Sequence, residues 1–330
     1  MHVYRDEDAD LALIRSRRVA VVGYGNQGRA QALNLRDSGV SVTVGLPQGS
    51  QSRARAEGDG FDVMTAAQAS QDADVVVILA ADELHARIYA EEVAPNLAVG
   101  AALVFAHGLS IRFALIEPRP DLDVLLVAPK GPGTALRREY ETGAGLIALF
   151  AVHRDSSGRA EALALSYGAA IGSARVGMLR TSFAEECEAD LFNEQAVLWG
   201  AIPELINAGF ETLVDAGFSP EVAYFECLTE VKLIADLIYE RGIAGMREAI
   251  SNTAELGALK GGTRIVTADT RTEMRRILRE VRGGGFVREL VAESEAGYPR
   301  LKASRAEAAA HPIERVASRL KALSERKRDG

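Results

Sequence analysis

The sequence predicts an α/β protein in which a doubly wound parallel sheet is followed by an all-helical second half. Six short apolar runs alternate with segments of helical composition up to about residue 181. Beyond that point β-rich runs nearly disappear and long helical stretches take their place. Continuous apolar runs are typical of strands that are buried on both faces of a parallel sheet. We therefore predict two domains, residues 1–181 and residues 182–330.

The predicted strands and helices follow from these runs in chain order. The strands are residues 18–23, 40–46, 73–79, 101–106, 124–128 and 146–152. The helices of the first half include residues 27–37 and 82–93, and those of the second half are residues 185–208, 220–241, 271–281 and 312–327. A βαβ order implies right-handed crossovers between neighbouring parallel strands.

The overall composition excludes several classes of protein. The 330 residues carry 38 Lys and Arg against 46 Asp and Glu, a formal net charge of −8, which argues against non-specific nucleic-acid binding. Apolar stretches stay well short of the ~20 residues that cross a bilayer, and the first residues are too acidic for a signal peptide. Cys187 and Cys227 are too few and too far apart to form a disulfide framework. We expect a cytoplasmic protein that binds neither membranes nor nucleic acids.

A glycine-rich motif follows the first predicted strand. Gly23, Gly25 and Gly28 form the pattern G-x-G-x-x-G between that strand and a predicted helix. In a Rossmann-type domain the first glycine permits a tight turn, the second lets a pyrophosphate approach, and the third allows the helix to pack closely on the strand. Free N–H groups at the helix start then bind the phosphates. The motif predicts a dinucleotide site; a glycine turn without cofactor is the alternative.

The end of the second strand bears on which dinucleotide is bound. NAD enzymes usually carry an acidic residue there for the ribose hydroxyls, and this chain continues with Gly45 and Leu46 instead. Ser50, Ser52 and Arg53 follow, and hydroxyl and guanidinium groups suit a 2′-phosphate. This favours NADP (NADPH). The alternative is an ordinary polar turn in which Ser50 caps the next helix.

Two pairs of carboxylates lie on predicted helices of the second half. Asp190 and Glu194 are four residues apart on one helix face, and Glu226 and Glu230 repeat the spacing on the next long helix. Their neighbours are apolar, so we expect both pairs to be buried. Buried carboxylates need a counter-charge, and oxygen ligands without His or Cys suit two Mg²⁺ ions. Protonated carboxyl pairs, or ion pairs with arginines from elsewhere, are the alternative.

Three further polar residues occupy positions where ligands often bind. His107 and Lys130 follow the fourth and fifth predicted strands, at the carboxyl ends of parallel strands. Taken alone, His107 is more often a local hydrogen-bonding residue and Lys130 a surface residue. Ser251 reads by default as a helix cap or turn residue.

Six motifs together resemble one known family. In chain order they are GYGNQG at 23–28, FAHG at 105–108, PKGPG at 129–133, DLFNEQ at 190–195, YFECLTE at 224–230 and ISNTAE at 250–255. The chain resembles ketol-acid reductoisomerase (acetohydroxyacid isomeroreductase) in its short form, over roughly residues 1–325. That form has a single helical domain, which is knotted in the family.

The resemblance implies a role for each motif. Asp190 would bridge two Mg²⁺ ions, Glu194 would complete one site, and Glu226 and Glu230 would serve the other. Ser251 would bind the substrate carboxylate, His107 would lie between nicotinamide and substrate, and Lys130 beside the metals. The residues implied to contact the cofactor are Gly23, Tyr24, Gly25, Asn26, Gln27, Gly28, Ser50, Ser52, Asp82, Glu83, Leu84, His85 and Gly133. Glu226, Glu230 and Ser251 would enter the site of a partner chain in a homodimer or an assembly of dimers.

Several positions depart from the common pattern of the family. Pro47 replaces a frequent basic residue, His85 a usual Gln, and Ser110 a usual Asn. Asn26, Leu109, Trp199, Asn252 and Leu256 also differ from the residues most members have. The four metal ligands are intact, so the departures bear on cofactor choice and on substrate size.

The implied activity belongs to valine and isoleucine biosynthesis. It converts 2-acetolactate or 2-aceto-2-hydroxybutanoate by alkyl migration and NADPH-dependent reduction. Two alternatives remain open at this point. One is a hydroxy-acid dehydrogenase without the isomerase step, which would need no carboxylate cluster. The other is a catalytically silent paralogue that binds nucleotide.

Overall fold

A computed structural model describes residues 1–325 and divides into two compact units, Met1–Ala189 and Asp190–Gly330. We call them the N-terminal unit and the C-terminal unit. The predicted division after residue 181 stays a prediction. The last two residues of the helix predicted to end at 327 lie outside the described residues. Among the helices of residues 1–325, none combines the length and apolar character that crossing a membrane requires.

The N-terminal unit is a nine-stranded sheet with helices. The strands are β1 (Val3–Tyr4), β2 (Arg18–Val22), β3 (Ser41–Gly45), β4 (Asp62–Met64), β5 (Val75–Ile78), β6 (Ala102–Phe105), β7 (Asp123–Pro129), β8 (Ala148–Arg154) and β9 (Met178–Arg180). The helices are α1 (Leu11–Arg15), α2 (Asn26–Asp37), α3 (Arg53–Gly58), α4 (Ala66–Gln71), α5 (His85–Ile88), α6 (Leu109–Arg112), α7 (Gly133–Glu141) and α8 (Ala160–Ala170), and α9 (Phe183–Asn193) leads into the next unit. The strand order is β1-β9-β8-β7-β6-β5-β2-β3-β4.

The predicted α/β class is confirmed, and all six predicted strands form. Val19 and Val21 pack into one apolar core, whereas Ala20 and Val22 pack into another on the opposite face. The sheet is therefore buried on both sides, which is why its strands are continuous apolar runs. β2 lies between β3 and β5, where the order of the strands reverses, and open α/β sheets bind ligands at such a point.

The sheet departs from the predicted parallel arrangement at two places. β1 runs antiparallel to β9, with Val3 opposite Leu179. β8 runs antiparallel to β7, with Pro129 opposite Ala148. The connecting helix α7 packs beside α2 and returns the chain to the edge at which β7 ended, so β8 must run back. β1, β4 and β9 were not predicted, because two or three residues are too few to form an apolar run.

The C-terminal unit is helical, as predicted. Its helices are α10 (Ala201–Asp215), α11 (Pro220–Tyr224), α12 (Glu230–Ala249), α13 (Asn252–Ile265), α14 (Ala268–Arg282), α15 (Gly285–Glu295), α16 (Pro299–Ala310) and α17 (Pro312–Glu325). α12 is broken at Gly242, whose φ of 70° lies in the left-handed region. One small apolar core joins α10, α11 and α17 through Phe210, Ala223, Ile313 and Val316.

Two predicted helices of this half contain π turns. The stretch from α9 to α10 includes a π segment at Glu194–Leu198, and the stretch from α11 to α12 includes another at Phe225–Thr229. Trp199 donates its backbone N–H to the carbonyl of Glu194, the five-residue spacing that defines such a turn. Periodicity cannot reveal this, because one extra residue hardly changes the apolar pattern of a helix.

Candidate active site

The glycine-rich loop has the geometry that its motif predicts. Gly23 has a φ of +106°, and a Cβ there would lie 2.5 Å from the backbone N of Ala80. A Cβ on Gly28 would lie 2.3 Å from the carbonyl oxygen of Gly23, so this glycine lets α2 pack on the loop. A Cβ on Gly25 would meet nothing within 4 Å. The loop is thus open at the one glycine expected to face a pyrophosphate.

A second helix begins beside the start of α2. The backbone N–H of Thr134 donates to Asn26 Oδ1 at 2.8 Å, and Gln27 Nε2 donates to the carbonyl of Gly131 at 2.8 Å. A Cβ on Gly133 would lie 2.1 Å from the carbonyl oxygen of Asn26. These side chains join the two loops to each other, and Gly133 is required for their close approach. The N-terminal dipoles of α2 and α7 therefore act on one place, which suits a diphosphate.

Tyr24 does not offer its side chain to a cofactor. Only 2% of the residue is exposed, and its hydroxyl donates to Asp59 Oδ2 at 2.9 Å. Burial and the Asp59 carboxylate raise the pKa of the Tyr24 hydroxyl. The cofactor contact implied for this residue can therefore come from its backbone alone. Its side chain belongs to the core beside Phe61.

The loop between β3 and α3 bears on which dinucleotide the chain binds. Arg53 Nη2 donates to the carbonyl of Val63 at 2.9 Å, and Nη1 donates to the carbonyl of Leu46 at 3.2 Å. In this structure the guanidinium of Arg53 is thus bound to a carbonyl directly after β3 and to one within β4, and its contact with a 2′-phosphate stays a prediction. Ser50 Oγ accepts from the backbone N–H of Ser52 at 3.2 Å, a local turn within the loop.

His107 and Lys130 are both placed at the carboxyl ends of strands, after β6 and β7. Both lie next to Glu186, a residue that the sequence argument missed. Lys130 Nζ donates to Glu186 Oε1 at 2.7 Å, and the backbone N–H of Gly108 donates to Oε2 at 2.8 Å. Ligand atoms of His107 and Glu186 lie within 4.8 Å of each other. Glu186 is only 1% exposed, and the signal that could have found it is its place on α9, one turn before Asp190.

His107 is paired with Asp82. Their Nδ1 and Oδ2 atoms lie 3.6 Å apart. Burial alone would lower the pKa of His107, but interactions with Asp82 and Cys187 raise it well above its usual value. Burial alone would likewise raise the pKa of Asp82, yet the interaction with His107 lowers it. The pair therefore favours an imidazolium beside a carboxylate, which is a group able to hold a proton near a ligand.

Two departures from the family pattern are hydrogen-bonded to each other. His85 Nδ1 lies 3.0 Å from Ser110 Oγ, and its Nε2 lies 3.0 Å from the carbonyl oxygen of Ala80. Because a carbonyl only accepts, Nε2 carries the proton and Ser110 donates to Nδ1. Burial lowers the pKa of His85, which favours this neutral form. The imidazole implied to contact the cofactor is therefore bound within the loop that connects β5 to α5. Asp82, Glu83 and Leu84 form a short 3₁₀ turn in the same loop.

The four predicted metal ligands lie within or close to the two π segments. Asp190 is in the last turn of α9 and Glu194 begins the first π segment; both are half-buried. Glu226 lies in the second π segment and Glu230 begins α12; both are exposed. The prediction of buried carboxylates is thus wrong for Glu226 and Glu230 within one chain, because Leu233 and Ile234, which share their face, are exposed as well. π segments in helices are frequent at functional sites.

Ser251 caps α13. Its Oγ accepts from the backbone N–H of Ala254 at 3.2 Å, so the cap predicted from the residues alone is confirmed. The residue itself is exposed. A hydroxyl at the start of a 14-residue helix lies where the helix dipole favours an anion.

Comparison with known sequences identifies the family. The model of the acetohydroxy acid isomeroreductase NADPH-binding domain matches residues 13–177, and that of the ketol-acid reductoisomerase C-terminal domain matches residues 183–326. The chain belongs to the ketol-acid reductoisomerase family. The resemblance predicted from six motifs is confirmed. As in the family, an N-terminal NAD(P)H-binding domain precedes an all-helical one.

Solved structures agree with this assignment. An NADH-preferring ketol-acid reductoisomerase from an uncultured archean is 43% identical, with a TM-score of 0.95 over 98% of this chain and 99% of that one. Two more distant matches share the fold alone, each with a TM-score of 0.61 over 81% of this chain. A semialdehyde dehydrogenase NAD-binding protein from Cupriavidus necator is 18% identical over 98% of its length, and a putative oxidoreductase from Jannaschia sp. CCS1 is 15% identical over 97%.

Proposed function

We propose that the chain is a Mg²⁺-dependent ketol-acid reductoisomerase acting on 2-acetolactate and 2-aceto-2-hydroxybutanoate. The product would be the 2,3-dihydroxy-3-methyl acid of valine and isoleucine biosynthesis. The proposal rests on one observation. This chain, a member of the family, combines an open glycine-rich loop with four intact carboxylates at two π segments. A simple hydroxy-acid dehydrogenase needs the first feature and has no use for the second.

The donor set fits two hard cations. Asp190, Glu194, Glu226 and Glu230 supply carboxylate oxygens alone, which are the ligands Mg²⁺ prefers. When bound, the two ions would supply Lewis-acid chemistry to neighbouring oxygens of the substrate, and the dinucleotide would supply the hydride. Asp190 is the residue we expect to touch both ions.

Other residues would bind and orient the substrate. Ser251 offers a hydroxyl at the start of α13 to the substrate carboxylate. Lys130, bound to Glu186, presents a fixed positive charge at the end of β7. His107, with its pKa raised by Asp82, can hold a proton near the reacting oxygens. Each side chain is positioned by a partner in its own unit, so little reorganisation would be needed on binding.

The choice of dinucleotide rests on the loop between β3 and α3. The absence of an acid at Gly45 and Leu46 and the two hydroxyls of Ser50 and Ser52 support NADPH. NADH is the second candidate, and two observations favour it: Arg53 is bound to carbonyls, and the 43% identical relative prefers NADH. A charge-assisted bond would have been worth about ten- to hundredfold in preference. Without one, we expect values of kcat/KM for the two dinucleotides within about tenfold of each other.

We also propose that two chains form a homodimer with shared sites. Large apolar side chains of the C-terminal unit are exposed in one chain, among them Trp199 at 65%, Leu233 at 62% and Leu256 at 60%. Monomeric proteins rarely leave so many such residues uncovered. Glu226 and Glu230 lie on the same helical stretch as Leu233, so a partner that covers Leu233 would also bury these carboxylates.

The deciding experiment measures dinucleotide oxidation with 2-acetolactate, with Mg²⁺ and with EDTA. We expect turnover in Mg²⁺ and none in EDTA. Turnover that persists in EDTA would favour the dehydrogenase. Dinucleotide binding without turnover in either condition would favour the silent paralogue.

A further inference from the structure

We propose that Asp59 is a positioning residue for the dinucleotide, because it fixes the glycine-rich loop to α3. This helix follows the loop of residues 47–52, which we call the ribose loop. The inference deepens the proposed function and rests on its dinucleotide site. Asp59 lies outside the glycine-rich motif and outside the loop of residues 47–52. None of the six family motifs contains it.

The carboxylate of Asp59 joins two parts of the nucleotide-binding segment. Oδ2 accepts from the Tyr24 hydroxyl at 2.9 Å and from Arg29 Nε at 2.7 Å, and Oδ1 accepts from Arg29 Nη2 at 3.0 Å. Tyr24 lies between the two glycines that shape the loop, and Arg29 is in the first turns of α2. One side chain therefore holds both the loop and the start of the helix whose N–H groups would bind the phosphates of the proposed dinucleotide.

The backbone of Asp59 ties the same residues to α3. Asp59 is the C-cap residue directly after α3, and its backbone N–H donates to the carbonyl of Arg55. Its own carbonyl accepts from Arg36, near the end of α2. α3 begins at Arg53, directly after the ribose loop, and is only six residues long. Because this short helix connects the two, the position of Asp59 determines where Ser50 and Ser52 lie.

Arg29 makes the charge of Asp59 important. Arg29 lies near the start of α2, where the proposed pyrophosphate would bind, and its guanidinium is paired with Asp59. The interaction with Arg29 also keeps the pKa of the Asp59 carboxyl below its usual value, so the ion pair persists at neutral pH. Removing the charge while keeping the shape should loosen the loop, although each phosphate-binding N–H group would remain.

The test compares Asp59→Asn with Asp121→Asn in the full-length chain. Asp121 forms an ion pair of the same kind with Arg119, with Nη2 to Oδ2 at 2.7 Å and Nε to Oδ1 at 3.1 Å, just before β7 and away from the glycine-rich loop. The Kd values of NADPH and NADH are measured by calorimetry without substrate or Mg²⁺, and Tm is measured alongside. Tyr24→Phe removes the hydroxyl alone and serves as the second variant if Asp59→Asn does not fold.

We expect Asp59→Asn to raise the Kd of both dinucleotides by about tenfold, the middle of the range for residues in one hydrogen-bond network. Tyr24→Phe should raise both less, and Asp121→Asn should lower Tm without changing either Kd. In Asp121→Asn the value of kcat at saturating dinucleotide should not change.

Three results would overturn the proposal. A lower Tm with unchanged Kd values would make Asp59 a purely structural residue. A loss confined to NADPH would mean direct contact with the 2′-phosphate, and tighter binding would mean that Asp59 only neutralises Arg29. If the unmutated chain binds neither dinucleotide, the proposed function fails first, and the two failures are thus distinguishable.

Discussion

The two units of the chain differ in how far their apolar faces and charged groups are covered or paired within one chain. In the N-terminal unit the sheet is covered on both faces, and charged groups such as Glu186 and Asp59 have partners at hydrogen-bond distance. In the C-terminal unit the described residues include a small core around Phe210, while the carboxylates of Glu226 and Glu230 and many apolar side chains are exposed. The dinucleotide-binding half thus buries its apolar faces within one chain. The half that carries all four proposed metal ligands leaves exposed the apolar surface that the proposed homodimer would cover.

The largest effect should come from Asp190→Asn. Loss of residues that merely support metal ligands costs about 10- to 100-fold, so loss of a ligand to both ions should cost at least ~100-fold in turnover of 2-acetolactate. Reduction of a ready-made 3-hydroxy-2-oxo acid should weaken strongly too. Tm in EDTA should not fall, because removing a charge from an acidic cluster relieves repulsion. Turnover like that of the unmutated enzyme would contradict the two-metal site.

Mixing two inactive chains tests whether the C-terminal unit is completed by a partner. Asp190→Asn and Glu226→Gln chains are refolded together, and heterodimers are verified by differently tagged copies. If sites are shared, each mixed dimer regains one intact site, and roughly a quarter of the unmutated activity should return, since random pairing makes half of the dimers mixed. Each variant refolded alone is the control. Inactive heterodimers would rule out sharing.

Ser52→Asp should shift the preference between dinucleotides. A carboxylate near the 2′-phosphate should lower kcat/KM for NADPH relative to NADH by about ten- to hundredfold. Ser52→Ala is the matched control and should shift the ratio less, because it removes a hydroxyl without adding charge. An unchanged ratio in Ser52→Asp would mean that the loop does not approach the phosphate.

Arg53→Gln separates the structural role of Arg53 from a direct one. Because the guanidinium binds the carbonyls of Leu46 and Val63, its loss should raise the KM of NADPH and of NADH alike, by less than about tenfold. The ratio of the two KM values is the measurement. A loss for NADPH alone would show that Arg53 leaves these carbonyls to bind the phosphate.

The smallest effect on activity should come from Ser110→Ala. This variant tests whether the buried polar groups of the N-terminal unit depend on their hydrogen-bond partners. The change leaves Nδ1 of the buried His85 without its hydroxyl donor, at a cost of about 1–3 kcal/mol. For a unit of this size that corresponds to a fall in Tm of roughly 2–12 °C. Ser41→Ala, at an exposed position, is the control. An unchanged Tm in Ser110→Ala would contradict the assigned hydrogen bond.

Sequence patterns predicted those features that depend on local residue type. The six central strands, the glycine-rich loop and the cap at Ser251 follow from apolar runs, missing Cβ atoms and a hydroxyl before a helix. The rest depends on contacts between distant residues. Lys130 binds Glu186, the guanidinium of Arg53 binds the carbonyls of Leu46 and Val63, and the hydroxyl of Tyr24 binds Asp59. The reversed β8 depends on where α7 packs, which periodicity does not encode.

The pairing of the first strand with the last constrains how the chain folds during synthesis. Val3 pairs with Leu179 and Tyr4 with Met178, and the backbone N–H of Ile14 donates to Ser166 Oγ. Val3 and Tyr4 leave the ribosome well before residues 178 and 179, so their strand has no partner until almost the whole N-terminal unit has been translated. Pairs so distant along the chain form slowly, because a long loop must close before any contact is gained. We therefore expect β1 to be among the last strands of the sheet to pair, although it is translated before all the others.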